Sequence, residues 1–244
     1  MSTIRGARER ARVEVTAAIK DEARKQLAAD GAAKLSLRAV ARELGMVSSA
    51  LYRYFPSRDE LLTALIVDAY DAIGLAAESA GTQGAGEAGS HATRWTEVAC
   101  AARSWALGHP HEYALIYGSP VPGYTAPQDT VGPASRVGLV LIGVLRDAHR
   151  DRGLALPPLG DALRPEAARM AADLAPDLPP EVVAALVAAW AQLFGLISFE
   201  LFGQFNRVVE ERELLFRHAV RELGRSVGLL PEGDRPSRAV AGAA

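Results

Sequence analysis

The side chains best placed for chemistry are Ser48, Ser49, Tyr52 and Arg53. On a helix they share one side, roughly half a turn from Val47, Ala50, Leu51 and Tyr54. The small residues Ser48, Ser49 and Ala50 let such a helix approach the floor of a DNA major groove and bring hydroxyls, a methyl and a guanidinium to base edges. Arg38, on the preceding helical stretch, can join the base-reading set, and Tyr52, Tyr54 and Arg58 have the donors to hold phosphates. Pro56 stops the helix. Ser57 followed three residues later by Glu60 reads as a capping box, with Arg58 beside the freed amides.

Such residues work only if neighbouring helices hold them out of the core. Leu37, Val40, Ala41 and Leu44 fall at i, i+3, i+4 and i+7, with Ser36 as a cap and Gly45 as a left-handed stop. Upstream, Ile19, Ala23 and Leu27 recur at every fourth residue before Asp30-Gly31, which predicts a packing helix. The order of these elements, with Ala50-Leu51-Tyr52-Arg53-Tyr54-Phe55 and Ser57-Arg58-Asp59-Glu60-Leu61-Leu62, resembles the DNA-binding domain of TetR/AcrR-type transcriptional regulators over about residues 10–65. Two residues depart from that pattern. Val47 stands where Ser is frequent, which removes a cap worth about 1 kcal/mol or shifts it to Ser48. Arg58 replaces a frequent Lys, which keeps a phosphate contact but makes it a fork rather than a point charge.

Charge placement agrees with a chain that meets nucleic acid at one end. Residues 1–60 carry twelve basic and eight acidic side chains, a formal +4, whereas the whole chain is −2 and the remainder therefore −6. The lead-in with Arg5, Arg8, Arg10 and Arg12 reads either as a solvated tail or as an arm on backbone or minor groove; Glu9 and Glu14 dilute its charge and favour the tail. Of 244 residues, 49% are hydrophobic, enough for a sizeable core, and abundant Ala favours helix nearly everywhere. Cys100 is the single cysteine, so neither a disulfide within the chain nor a cysteine-based zinc site can form, which suits a reducing cytoplasm. No apolar run follows the basic N-terminus, and no secretion signal is expected. His109 and His111, two apart across Pro110, do not share a face as a zinc pair would, and no Gly-x-Ser-x-Gly elbow or His-Glu-x-x-His run is present. No catalytic residue, metal ligand or cofactor is expected.

A fourth helix runs on from Leu61 through Leu65, Ile66, Ala69 and Ile73, until a glycine-rich loop over 81–90 breaks it. A helix through Trp95, Val98, Ala102 and Trp105 follows. Trp105, His109 and Gly118 resemble the Trp-His-Gly type of C-terminal ligand-binding domain within the same regulator family, which implies effector binding and dimerisation. Candidate pocket residues are Trp105, His109, Tyr113, Tyr117, Trp190 and Phe194; Tyr113 and Tyr117 share a face at i, i+4 and offer apolar walls with two hydroxyls. A helix is predicted over about 136–152, then a loop-rich segment to Pro179-Pro180. The run 182–202 has the length of a membrane span, but Gln192, Ser198 and Glu200 interrupt it, and burial between subunits is the better reading. With a last helix over about 208–227 it would form a four-helix interface in a homodimer.

The expectation is an all-α protein. Residues 1–60 form a helix-turn-helix head, 61–230 a helical effector-binding and dimerisation domain, and 231–244 a disordered tail. It acts as a cytoplasmic, ligand-responsive regulator, most often a repressor in this family, on a palindromic double-stranded DNA operator, with a small-molecule effector and no membrane partner. The alternative is a DNA binder without an effector, architectural or controlled by a protein partner.

Overall fold

The computed structural model describes residues 2–83, 90–151 and 153–229, and every regular element among them is helical. The tail expected over 231–244 lies outside the described residues, as do residues 84–89 of the expected loop; its first three residues, 81–83, are helical instead. The helices are α1 (Ser2–Asp30), α2 (Leu37–Glu43), α3 (Ser48–Leu51), α4 (Arg58–Gln83), α5 (His91–Gly108), α6 (Pro110–Tyr117), α7 (Val131–Asp151), α8 (Arg164–Leu174), α9 (Pro180–Leu201) and α10 (Arg212–Ser226). They fall into two compact units, Met1–Ala72 with Gly108–Ala134, and Ile73–Leu107 with Ser135–Ala244.

The first unit is built on the apolar faces read from sequence. Ile19, Ala23 and Leu27 of α1, Leu37, Val40 and Ala41 of α2, and Leu51 of α3 meet Leu61, Leu62, Leu65 and Ile66 at the start of α4 in one buried cluster. Burying a leucine of this kind contributes about 2 kcal/mol. The same cluster takes Leu115, Ile116, Val121 and Tyr124 along its edge, so α6 and the segment after it belong to this unit. Asp68 of α4 accepts Lys20 and Arg24 of α1 at 2.7 and 2.6 Å, and Arg24 Nε lies 3.6 Å from Glu112 of α6. These groups are partly exposed, so the network fixes geometry more than it adds stability. Thr63 and Tyr124 share a hydroxyl hydrogen bond of 2.9 Å.

In the second unit, Trp95 of α5 is buried and its indole donates to the Val220 carbonyl of α10 at 3.1 Å. Gly74 lets α7 come close, because a Cβ there would stand 2.7 Å from that of Arg136. Arg136 in turn forks onto Glu78 at 2.8 and 2.7 Å and holds its carboxyl below the usual range. Arg103 of α5 forks onto Glu200 of α9 at 2.7 and 2.6 Å, and both side chains are largely withdrawn from solvent. The Arg103 guanidinium also covers the Phe216 ring, 5.4 Å from its centroid.

Three elements differ from the sequence expectation. α8 occupies the segment read as loop-rich, burying only Ala167 and Ala171. α10 begins at Arg212 rather than near Val208, after a turn in which Arg207 adopts φ 63°. α3 is a single turn, and the amides of Arg53 and Tyr54 bond three residues back, which tightens the chain ahead of Pro56. α9 carries enough apolar residues to cross a bilayer by length and composition, with mean hydropathy 2.1 over its most apolar window. Its Glu200 is nonetheless turned inward onto Arg103.

Candidate nucleic-acid interface

The turn between α2 and α3 is set by local chemistry. Ser36 Oγ accepts the Ala39 amide at 3.4 Å and caps α2. At the other end Gly45 takes φ 64°, its amide donating to the Arg42 carbonyl at 3.1 Å and that of Met46 to Ala41 at 2.8 Å. This is a Schellman closure, which uses up the helix-end carbonyls and turns the chain sharply into α3.

α3 then presents what the spacing predicts, with one exception. Leu51 is fully buried beneath it, while Ser48, Ser49, Tyr52 and Arg53 are exposed, and Arg38 is exposed on α2. Val47, expected on the core side, is 70% exposed. It is the N-cap residue, with extended backbone at φ −69° and ψ 137° and no side-chain cap bond, so the helical period does not apply to it. The sequence departure at this position therefore costs the cap rather than moving it to Ser48. At the far end Ser57 Oγ accepts the Glu60 amide at 3.1 Å and starts α4. Tyr54 is half-buried against the core cluster and lies under the Arg12 guanidinium, 5.9 Å from the ring centroid.

Arg58 is placed differently from expectation. Instead of standing free for phosphate, its guanidinium donates to the carbonyls of Leu35, Ala32 and Ala33 at 3.2, 2.8 and 3.3 Å, stapling the turn after α1 to the start of α4. A fork reaching three carbonyls is something an ammonium on a lysine stem cannot reproduce. Arg58→Ala is thus expected to lower unfolding stability by about 2 kcal/mol, with Arg58→Lys failing to restore it. Urea denaturation checks this; an unchanged midpoint with weakened DNA binding would return Arg58 to the phosphate set.

The expected pocket residues divide between the two units. In the first, His109 is the exposed N-cap residue of α6, without a side-chain cap bond, and Tyr113 is fully buried. The Tyr113 ring tilts against Tyr117 at 5.1 Å, and Tyr117 meets Tyr70 edge-on at 5.9 Å. Burial pushes the Tyr117 and Tyr70 hydroxyls above their ordinary ionisation range, so both stay neutral donors. In the second unit, Trp105 is buried on α5, and Trp190 packs edge-on against Phe194 at 5.8 Å. Trp190 lies on the side of α9 that carries the buried Val183, Phe194 and Ile197, yet keeps 41% exposure. Among the described residues no group of three or more His, Cys, Asp and Glu is placed to hold a metal ion.

Comparison with known proteins follows this geometry. Residues 19–65 match the family described as bacterial regulatory proteins, tetR family, and residues 95–223 match the tetracyclin repressor-like C-terminal domain. The HTH-type transcriptional regulator Rv1816 of Mycobacterium tuberculosis is 42% identical over 212 residues, covering 82% of this chain and 86% of its own. Mb1846 of Mycobacterium bovis matches to the same extent. The crystal structure of the regulatory protein SCO4313 superposes with a TM-score of 0.73 at 36% identity, covering 88% of this chain and 97% of that one. A Rhodococcus sp. RHA1 protein of unknown function shares the fold, with a TM-score of 0.65 at 22% identity over 87% of this chain and 95% of its own. An N-terminal helix-turn-helix, a C-terminal match over more than half the chain and these relatives lead to one assignment: the chain belongs to the TetR family of bacterial transcriptional regulators, which are not enzymes.

Proposed function

We propose that this regulator is a cytoplasmic homodimeric repressor that binds a two-fold symmetric operator and is released by a small-molecule effector. Regulators of this family bind DNA and effectors and form dimers, and the finer roles are assigned from the residues. The observation that carries the reading is the presented face of α3. Ser48, Ser49, Tyr52 and Arg53 are exposed on a turn whose opposite side is anchored by a fully buried Leu51. Ser48, Ser49, Arg53 and Arg38 would read base edges, and Tyr52 and Tyr54 would hold phosphates. Val47, missed in the sequence reading, adds an exposed branched side chain suited to a thymine methyl.

A second surface supports the dimer. Along the outer side of α9, Ala188, Ala191, Gln192, Gly195 and Phe199 are exposed or half-buried, and between α9 and α10 runs an apolar groove of about 390 Å³ floored by Gly195, Leu196, Ala219 and Leu223. Small residues beside an exposed ring give a second copy both a groove and a knob. For the effector, Trp105, His109, Tyr113, Tyr117, Trp190 and Phe194 are the proposed contacts, with Trp190 best supported because it stays exposed on an otherwise inward side.

Selection of bound duplexes from a random pool tests the reading, and a palindromic winner with half-sites about 34–36 Å apart, or a multiple, is expected. Arg53→Ala should then lose about 1–3 kcal/mol of preference for that site over scrambled DNA. Equal weakening on both sequences would remove Arg53 from base reading, and no enrichment at all would remove the operator.

A further inference from the structure

The sequence leaves the basic lead-in of α1 between a solvated tail and an arm. The structure makes it helix: α1 runs without a break from Ser2 to Asp30, although residues 7–14 are all exposed and the buried positions begin only at Ile19. At 100° per residue, Arg8 and Arg12 lie within about 20° of Ile19 and Val15 within about 40°, so they continue upstream the Ile19 side of the face that buries Ile19, Ala23 and Leu27. Along the line of Ile19 the helix thus changes from isoleucine to arginine where it leaves the core. Of the groups that dilute or add to this charge, Glu14 lies about 140° from Ile19 and Arg10 opposite it, whereas Glu9, eighteen residues before Leu27, stands at that leucine's edge of the face, about 80° from Ile19.

Two further observations say where that face is and what it lacks. The Arg12 guanidinium lies over Tyr54, 5.9 Å from the ring centroid, which sets the basic stretch beside the end of the recognition segment. Among the described residues no carboxylate pairs with Arg8, Arg10 or Arg12, whereas Lys20, Arg24 and Lys25 further along α1 all have acidic partners. Two arginines at i, i+4 repel, and an unpacked overhang of this length is a marginal helix, so the contact of Arg12 with Tyr54 leaves the charge of Arg8 without a role inside the fold.

We propose that the overhang of α1 is a second DNA-binding element, in which Arg8 and Arg12 hold backbone phosphates of the duplex flanking the half-site read by α3. This rests on the DNA-binding reading above and adds a contact outside it. Binding should therefore depend on salt more steeply than the recognition segment alone requires, and the footprint should extend past the half-site.

The test is the slope of log affinity against log salt, measured by anisotropy on the selected operator with long flanks. Arg8→Ala should lower the slope by about 0.9 per bound protomer and Arg8→Ala with Arg12→Ala by about 1.8. Arg8→Lys should retain the slope, and Arg10→Ala, the same charge change on the opposite side, should leave it near wild type. Trimming the duplex to the half-sites should abolish the difference between wild type and Arg8→Ala. Thermal melts of Arg8→Ala should match wild type, since this side chain makes no contact that packs the fold. An unchanged slope in Arg8→Ala on the long operator, or an equal fall in Arg10→Ala, overturns the arm while the operator reading stands. A wild-type protein that enriches no DNA overturns both.

Discussion

Phe199→Asp is expected to leave the protomer folded, abolish the dimer, and weaken operator binding by about a hundred- to ten-thousandfold, the range over which linking two sites raises affinity. Phe199 is 53% exposed in the protomer and touches Phe205 edge-on at 5.8 Å, so its removal opens no cavity within the chain. If a second copy covers the groove of α9 and α10 as proposed, a carboxylate there would be buried beside it, and α9 carries no cation to pair with it. Sedimentation gives the mass and anisotropy the affinity. A Phe199→Asp protein that still sediments as a dimer would move the interface off α9.

The second large effect concerns Arg103 and Glu200. Their bidentate pair has side-chain exposures of 13% and 7%, and removal of one partner leaves the other charged in a poorly solvated site. Glu200→Ala is expected to cost about 3–5 kcal/mol in urea unfolding. That is a large share of the stability of an ordinary domain. The pair itself is not required for stability, however, because each ion gave up hydration to form it. Arg103→Met combined with Glu200→Leu should recover most of the loss, by replacing a desolvated charge pair with packed apolar atoms. A double variant as unstable as Glu200→Ala alone would mean that the cover of Arg103 over Phe216, at 5.4 Å, carries the energy instead.

Local codes in the chain were legible where short-range physics decides. The Ser36 cap, the left-handed Gly45 and the alternation of buried Leu51 with exposed Ser48, Ser49 and Arg53 depend on neighbours a few residues away. The family and the all-helical class followed from the same residues. α8 was hidden because its buried positions are alanines and Pro165, in its first turn, reads as a breaker although that position tolerates it. Val47 was misplaced because a helical wheel was extended onto a cap residue with extended backbone. Arg58 shows a different limit, since a residue type announces donors but not their direction, and three carbonyls of the turn after α1 take them. No spacing rule could have joined Arg103 to Glu200, which are 97 residues apart.

The chain enters its first compact unit twice, once through α1 to the start of α4 and again through α6. This bears on how such regulators can diversify. A single genetic crossover just after residue 65, where the family match to the helix-turn-helix ends, would import a foreign α6. Arg24 would lose Glu112, and Thr63 would lose Tyr124. A hybrid of this chain therefore inherits a seam that its new half never evolved to fit. Such a crossover separates α6 from the parts of α1 and α4 with which it forms one unit, whereas paired crossovers that keep residues 108–134 with their own α1 preserve these contacts.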